Sequence, residues 1–124
     1  MVRVRTRPLR ILIADDHPAF RRAARLLLAR RGFAVVGEAG CARTALEAAT
    51  ALEPDGVLLD MHLGDACGCD VALVLTRREP APAVLLVSSE PPDASPERLR
   101  TCGARGFVLK SDLVHADLAS FWGD

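Results

Sequence analysis

The chain contains 124 residues, half of them apolar, and its 16 acidic and 16 basic side chains give a formal net charge of zero. This length is typical of one domain with a substantial core, and the apolar content argues against disorder. A balanced charge disfavours a dedicated nucleic-acid binder, which would carry a basic excess. Aromatic residues make up only 4% of the chain, which disfavours a stacking surface for bases or sugars.

The N-terminal segment has neither the pattern of a secretory signal nor that of a membrane anchor. Its arginines are not followed by the uncharged apolar stretch and cleavage site of a signal peptide. No apolar run approaches the ~20 residues of a membrane span. We therefore expect a cytoplasmic protein without membrane association, whose four cysteines stay reduced. We interpret residues 1–8, with Arg3, Arg5 and Arg7, as a solvated tail ahead of a domain over residues 9–124.

Five short apolar runs alternate with longer amphipathic segments. Runs of this length, almost uninterrupted by polar residues, are typical of strands buried on both faces of a parallel sheet. Between them, proline at a first helical position (Pro18) and glycine after a last turn (Gly32) mark helix ends. The predicted strands cover residues 11–14, 33–36, 57–59, 84–87 and 107–109, and the predicted helices cover residues 18–31, 42–52, 69–78, 95–103 and 111–122.

This alternation predicts an α/β fold with right-handed crossovers. At this chain length the flavodoxin-like architecture fits best: a doubly wound, five-stranded parallel sheet in the order 2-1-3-4-5, with five helices. Ligands bind such sheets outside the carboxyl ends of the strands. The residues at those ends are Asp15 and Asp16 after the first strand, Gly37 and Glu38 at the end of the second, Asp60 after the third, Ser88 after the fourth and Lys110 after the fifth. We expect three carboxylates, the Ser88 hydroxyl and the Lys110 ammonium to converge there.

The predicted cluster has the composition of a phosphoryl-transfer site. Three carboxylates, from Asp15, Asp16 and Asp60, repel one another unless a cation neutralises them, and oxygen ligands suit Mg²⁺. Asp60 can act as the nucleophile, while Ser88 and Lys110 can donate to phosphoryl oxygens. Lys110 is the only lysine in the chain, and a compact ammonium suits this role better than the planar guanidinium of arginine.

Four segments of the chain resemble response-regulator receiver domains of two-component systems, and the similarity extends over nearly the whole length. The sequences of the first and last segments are most similar to the NarL/LuxR-type branch, which has a CheY-like form of the predicted fold. The segments are ILIADDHP at 11–18, VLLDMHL at 57–63, VLLVS at 84–88 and GFVLKS at 106–111.

The resemblance implies a phosphorylation switch and not a metabolic enzyme. Asp60 would accept a phosphoryl group from a sensor histidine kinase. Mg²⁺ would be held by Asp15, Asp16, Asp60 and the backbone carbonyl of His62. Ser88 and Phe107 would form the switch pair that alters the face of the fourth helix, fifth strand and fifth helix. That face would control an output partner, with a homodimer as one option, or DNA through a helix-turn-helix domain absent from this chain.

Three features depart from the pattern of these families. Gly64 stands where proline is usual, which suggests a more mobile loop after Asp60. Phe107 lacks the hydroxyl of the commoner tyrosine. Prolines at 91, 92 and 96 crowd the start of the fourth helix, which we expect to be short or displaced. All three bear on the output mechanism and leave the phosphorylation residues in place.

Other interpretations of the same residues stay open. The fold could serve as an interaction module that signals without phosphate, or as a small hydrolase that forms an aspartyl phosphate with His62 as general acid. His62, Cys67 and Cys69 could bind zinc or act as a redox group, but the spacing is unsuitable and no second Cys/His pair completes a tetrahedral set. Cys41 and Cys102 are interpreted as helix-face packing.

Overall fold

A computed structural model describes residues 7–64 and 66–123; Arg3 and Arg5 of the predicted tail lie outside these residues. The main strands are β1 (Arg10–Ala14), β2 (Ala34–Ala39), β3 (Gly56–Asp60), β4 (Ala83–Ser88) and β5 (Gly106–Leu109). They form one parallel sheet in the order β2-β1-β3-β4-β5. The predicted doubly wound order is therefore confirmed.

Helices lie between the strands, close to the predicted positions. The first begins at a proline, whose fixed φ and missing N–H suit that place, and Gly32 follows its end with φ +88°. The fourth is short and also begins with proline, capped by the Ser95 hydroxyl, which accepts from the Arg98 N–H. The helices are α1 (Pro18–Arg30), α2 (Ala42–Leu52), α3 (Gly68–Thr76), α4 (Pro96–Thr101) and α5 (Leu118–Trp122).

The core has two halves, one on each face of the sheet. Because successive side chains of a strand point to opposite faces, Leu12 and Ala14 of β1 face one cluster while Ile11 and Ile13 face the other. All residues of β3 and β4 are buried. The near-continuous apolar runs in the sequence are thus explained by helices on both faces.

The predicted end of β2 is wrong. Gly37 and Glu38 lie inside the strand, which continues to Ala39. β2 is an edge strand, so a charged side chain within it can reach solvent. Hydrogen bonds from Arg25 (2.7 Å) and Arg21 (3.1 Å) of α1 lower the pKa of the Glu38 carboxyl. Glu38 therefore links β2 to α1 and takes no part in the cluster at the strand ends.

The predicted continuous fifth helix is also wrong. A 3₁₀ helix covers Lys110–His115, and α5 begins only at Leu118, after extended backbone at Ala116. In one α-helix, Leu113 and Leu118 would lie about 140° apart around the axis. The break lets both leucines enter the same core cluster. Arg31, which directly follows α1, donates to the carbonyls of Val114 and Ala116 across the break.

None of the helices in the described part of the chain combines the length and the apolar character that a bilayer span requires.

Candidate functional site

The carboxyl ends of the central strands bring the predicted side chains together. Asp15 directly follows β1, Asp60 is the last residue of β3, Ser88 is the last of β4 and Lys110 directly follows β5. Asp60 pairs with Val87 in the sheet, one residue before Ser88. Because parallel strands end at one edge, residues up to 95 positions apart in sequence share a single site.

Lys110 lies between two of the carboxylates. Its Nζ is 2.7 Å from Asp15 Oδ2 and 3.7 Å from Asp60 Oδ2. The ammonium also lies 4.3 Å from the centre of the Phe20 ring on α1, a favourable cation–π contact. The lysine side chain is only 13% exposed, so solvent screens these charges weakly. The single lysine of the chain is therefore part of the site.

Asp60 lies at the floor of the site and is buried. Burial raises the pKa of its carboxyl, because a charged group loses hydration there. The His62 N–H, which donates to Asp60 Oδ1 at 3.2 Å, and the Lys110 charge lower this pKa, whereas Asp15 and Asp16 raise it. Burial and the like charges outweigh the two partners that lower the pKa, so the net pKa of Asp60 is raised and its charged form is disfavoured.

The predicted switch residues occupy neighbouring strands. Ser88 is buried, and its hydroxyl accepts from the Glu90 N–H at 3.3 Å. Phe107 pairs with Leu86 of β4, two positions before Ser88 in register. It is half-buried and lines a groove of about 230 Å³ between α4 and β5. Ser88 and Phe107 therefore lie on adjacent strands. Ser88 lines a cavity over the site, whereas the Phe107 ring lines the groove.

His62 projects into solvent from a two-residue hairpin strand that pairs with Ala66–Cys67. Gly68 follows this hairpin and has no space for a side chain, since a Cβ there would lie 2.5 Å from the Asp60 carbonyl oxygen. The glycine thus allows α3 to begin directly against the backbone of Asp60. The contribution predicted for His62, its backbone carbonyl, stays a prediction.

One residue of the site was missed in the sequence. The His17 Nδ1 lies 3.1 Å from Asp15 Oδ1 and 2.9 Å from Asp16 Oδ1, and the His17 N–H donates to Asp15 Oδ1 at 2.8 Å. Its position directly after two aspartates was the available signal. The sequence pattern marks this histidine only as the residue before the helix-starting Pro18.

A cavity of about 290 Å³ opens over these side chains and is large enough for a phosphoryl group. Its wall includes charged residues that the sequence pattern did not single out, such as Asp93. The lining residues are His17, Asp60, His62, Ser88, Ser89, Glu90, Pro91, Asp93 and Lys110.

The donor set fits a divalent cation. Ligand atoms of Asp15, Asp16, His17 and Asp60 all lie within 4.8 Å of one another. Asp15 is 1% exposed, and within residues 7–64 and 66–123 its Oδ2 accepts no hydrogen bond. The Lys110 ammonium at 2.7 Å neutralises this oxygen as an ion pair without the alignment of a hydrogen bond. Three carboxylates facing one ammonium leave excess negative charge, which a metal ion would balance.

Within the part of the chain that the structure describes, the cysteines near the hairpin form no group with the spacing of metal ligands. Burial, followed by the neighbouring Cys102, raises the pKa of the Cys69 thiol to about 12. Metal binding and disulfide exchange both need the thiolate, which this environment disfavours. Cys69 and Cys102 lie together in the core cluster on that face of the sheet, in agreement with a packing role.

The fold and the site define a class of protein: a doubly wound α/β domain with one buried aspartate, an acidic pair and a lysine around a cavity at the strand ends. The chain belongs to the response regulator receiver domain family, whose sequence model matches residues 11–116. The resemblance found in the four sequence segments is thereby confirmed.

The relatives are regulators from bacteria. The chain is 34% identical to the response regulator GacA of Pseudomonas aeruginosa over 82% of the chain and 48% of that protein. It is 34% identical to the transcriptional regulatory protein PdtaR of Mycobacterium tuberculosis over 88% of the chain and 55% of that protein. The chain thus spans about half the length of these relatives.

Among solved structures, a LuxR-family two-component response regulator from Aurantimonas superposes with a TM-score of 0.81 at 30% identity. The superposition covers 94% of this chain and 86% of that one.

Proposed function

We propose that this domain is a cytoplasmic phosphorylation switch in which Asp60 accepts a phosphoryl group from a phosphohistidine of a sensor histidine kinase. The observation that carries the proposal is the position of Asp60. It is a buried carboxylate at the floor of an open cavity, with the only lysine of the chain 3.7 Å away. A structural aspartate would have its charge satisfied, whereas burial and two neighbouring carboxylates raise the pKa of this one.

The transfer forms one bond and breaks one. A carboxylate oxygen of Asp60 attacks phosphorus, the P–N bond to the kinase histidine breaks, and the imidazole leaves with the electron pair of that bond. Positioned donors that stabilise the charge on the phosphoryl oxygens are the main protein contribution to such transfers. Lys110 and the Ser88 hydroxyl lie on the cavity wall and can act as such donors.

Asp15, Asp16, Asp60 and the backbone carbonyl of His62 would hold Mg²⁺. When bound, the ion neutralises charge on the carboxylates and on the phosphoryl oxygens. The protein contributes the burial of Asp15 and Asp60, which keeps their charges unscreened.

The output follows from the two strands beside the site. Ser88 moving towards a phosphoryl oxygen would vacate space on β4, and the ring of Phe107 on β5 would turn into it. The surface of α4, β5 and α5 would then change its partners. The domain would act as a switch that assists its own phosphorylation and dephosphorylation. Its output would be a protein partner, a second copy of the chain, or a DNA-binding domain outside this chain.

The test is incubation of the purified chain with Mg²⁺ and acetyl phosphate or phosphoramidate, followed by mass spectrometry of the intact protein. We expect the mass of one added phosphoryl group, absent in Asp60→Asn and retained in Asp93→Asn. The second variant is the matched control, because Asp93 is an exposed carboxyl lining the same cavity. Wild-type protein that stays unmodified would favour an interaction module that works without phosphate. In a parallel assay with a phosphate ester, steady release of inorganic phosphate would favour a hydrolase.

A further inference from the structure

We propose that the His17 imidazole is a ligand of the metal held at this site, and that it shifts the preference of the site from Mg²⁺ towards imidazole-binding transition-metal ions such as Ni²⁺. The inference rests on the proposed function only in that the same carboxylates hold a divalent cation.

The position of the ring is the first observation. The Nδ1 atom lies 2.9 Å from Asp16 Oδ1 and 3.1 Å from Asp15 Oδ1. Two adjacent ligands of an octahedral ion, each about 2.1 Å from it, lie about 3.0 Å apart. The nitrogen therefore lies at the spacing of adjacent ligands from each of the two carboxylate oxygens.

The backbone holds this arrangement in place. The His17 N–H donates to Asp15 Oδ1 at 2.8 Å, and α1 begins at the next residue, Pro18. Arg21, one helical turn along, donates to the Asp15 carbonyl at 2.6 Å. The histidine is thus the last extended residue before the helix, with its ring beside the acidic pair.

A buried oxygen on the opposite side of the same group is the second observation. Asp15 Oδ2 is inaccessible and accepts no hydrogen bond within the described part of the chain, with only the Lys110 ammonium facing it. The carboxylate of Asp15 thus contacts the His17 nitrogen through Oδ1 and carries on Oδ2 a buried charge that only an ion pair balances. Within the four-residue group, His17 and Asp16 are the exposed members, so an ion can enter from their side.

The donor chemistry determines the preferred ion. Carboxylate and water ligands suit Mg²⁺ and Mn²⁺, whereas imidazole suits Ni²⁺, Cu²⁺ and Zn²⁺. A site of three carboxylates alone would show little advantage for Ni²⁺ beyond the general order of affinities. Adding one imidazole raises the affinity for Ni²⁺ specifically, and Mg²⁺ gains little because it keeps several waters.

The experiment is calorimetric titration of the tag-free chain with MgCl₂ and, separately, NiCl₂, comparing wild type with His17→Gln. We expect the variant to lose at least tenfold in Ni²⁺ affinity while its Mg²⁺ affinity stays within twofold. His115→Gln is the matched control, because His115 is exposed on the 3₁₀ helix, outside the site. The ring resonances of the three histidines supply a direct readout, and Ni²⁺ is expected to perturb that of His17 first.

Three outcomes overturn the proposal. An unchanged Ni²⁺-to-Mg²⁺ affinity ratio in His17→Gln shows that the ring only hydrogen-bonds to the aspartates. A rise in Mg²⁺ affinity in that variant shows that the ring competes with the ion. Perturbation of His62 in place of His17 assigns the nitrogen ligand to the other cavity histidine. In each of these cases the phosphorylation proposal stands, whereas a wild-type chain that binds neither ion contradicts its metal component as well.

Discussion

Replacing Asp60 by asparagine should make the metal-free protein more stable at neutral pH. The side chain is buried and shares the site with two other carboxylates but only one ammonium. Asparagine has nearly the same shape and keeps an oxygen that can accept from the His62 N–H. The substitution therefore removes a charge with little change in packing.

The size of the expected stability gain follows from the distances between the charged groups of the site. At an effective dielectric constant of about 20, unit charges at the 4.8 Å limit that holds for this group repel by roughly 3.5 kcal/mol, and a pair 3.7 Å apart attracts by roughly 4.5 kcal/mol. Asp60 takes part in two such repulsions, with Asp15 and Asp16, and in one attraction, with Lys110. Repulsion therefore exceeds attraction by at least about 2 kcal/mol, and burial adds to the penalty. Since Asp16 is 33% exposed, solvent screens part of this, so we expect a gain of about 1–2 kcal/mol.

Thermal unfolding with EDTA present is the first assay, and a gain of that size corresponds to a rise in Tm of roughly 4–8 °C for a domain of this length. Urea unfolding at pH 5 and pH 7.5 is the second. Because the pKa of Asp60 is raised in the folded chain, its protonated form favours folding. That contribution is complete below the unfolded pKa of about 3.9 and is lost as the pH rises through the folded value. The advantage of Asp60→Asn should therefore be larger at pH 7.5.

The control is Glu47→Gln, which removes a charge from an exposed side chain whose ion-pair partner within the described residues is Arg43, one turn away. We expect this change to alter stability by no more than about 0.5 kcal/mol. A less stable Asp60→Asn protein, or a gain of the same size at both pH values, would refute the electrostatic argument. Mg²⁺ should raise the Tm of the wild type more than that of Asp60→Asn.

Three further predictions test other parts of the fold. Glu38→Gln should lower the free energy of unfolding by about 0.5–1 kcal/mol at pH 7, measured by urea unfolding. Because the arginine hydrogen bonds lower the pKa of Glu38, this loss of stability should shrink as the pH falls from about 4.3, the unfolded pKa, through the folded pKa. A loss that does not depend on pH would contradict the prediction. Iodoacetamide at pH 8 should label Cys41, whose thiol pKa is lowered by its Thr44 hydrogen bond, well before Cys69, whose pKa is raised to about 12; peptide mapping that shows equal rates would refute this. Gly56→Ala should cost about 1–3 kcal/mol, because its Cβ would lie 2.5 Å from the Trp122 ring, and an unchanged stability and tryptophan emission would show that the ring moves freely.

The sequence determined that the sheet is parallel and that Asp15, Asp60, Ser88 and Lys110 converge, whereas the strand order was predicted from the chain length. Parallel pairing and convergence follow from one constraint. Apolar runs that alternate with amphipathic helices must form a parallel sheet covered on both faces, and parallel strands end at a common edge. Residues that directly follow such strands are brought together whatever the details of packing, so their distance in sequence does not matter.

Tertiary structure alone decided the features that depend on how side chains meet. The break before α5 arises because Leu113 and Leu118 must enter one core cluster. The place of Glu38 depends on arginines of α1 that reach across to β2. The His17 ring could equally have pointed away from the aspartates, and only its contacts with Asp15 and Asp16 reveal it as part of the site. Periodicity records which face of an element is buried, whereas these contacts join surfaces whose relative position exists only once the chain has folded.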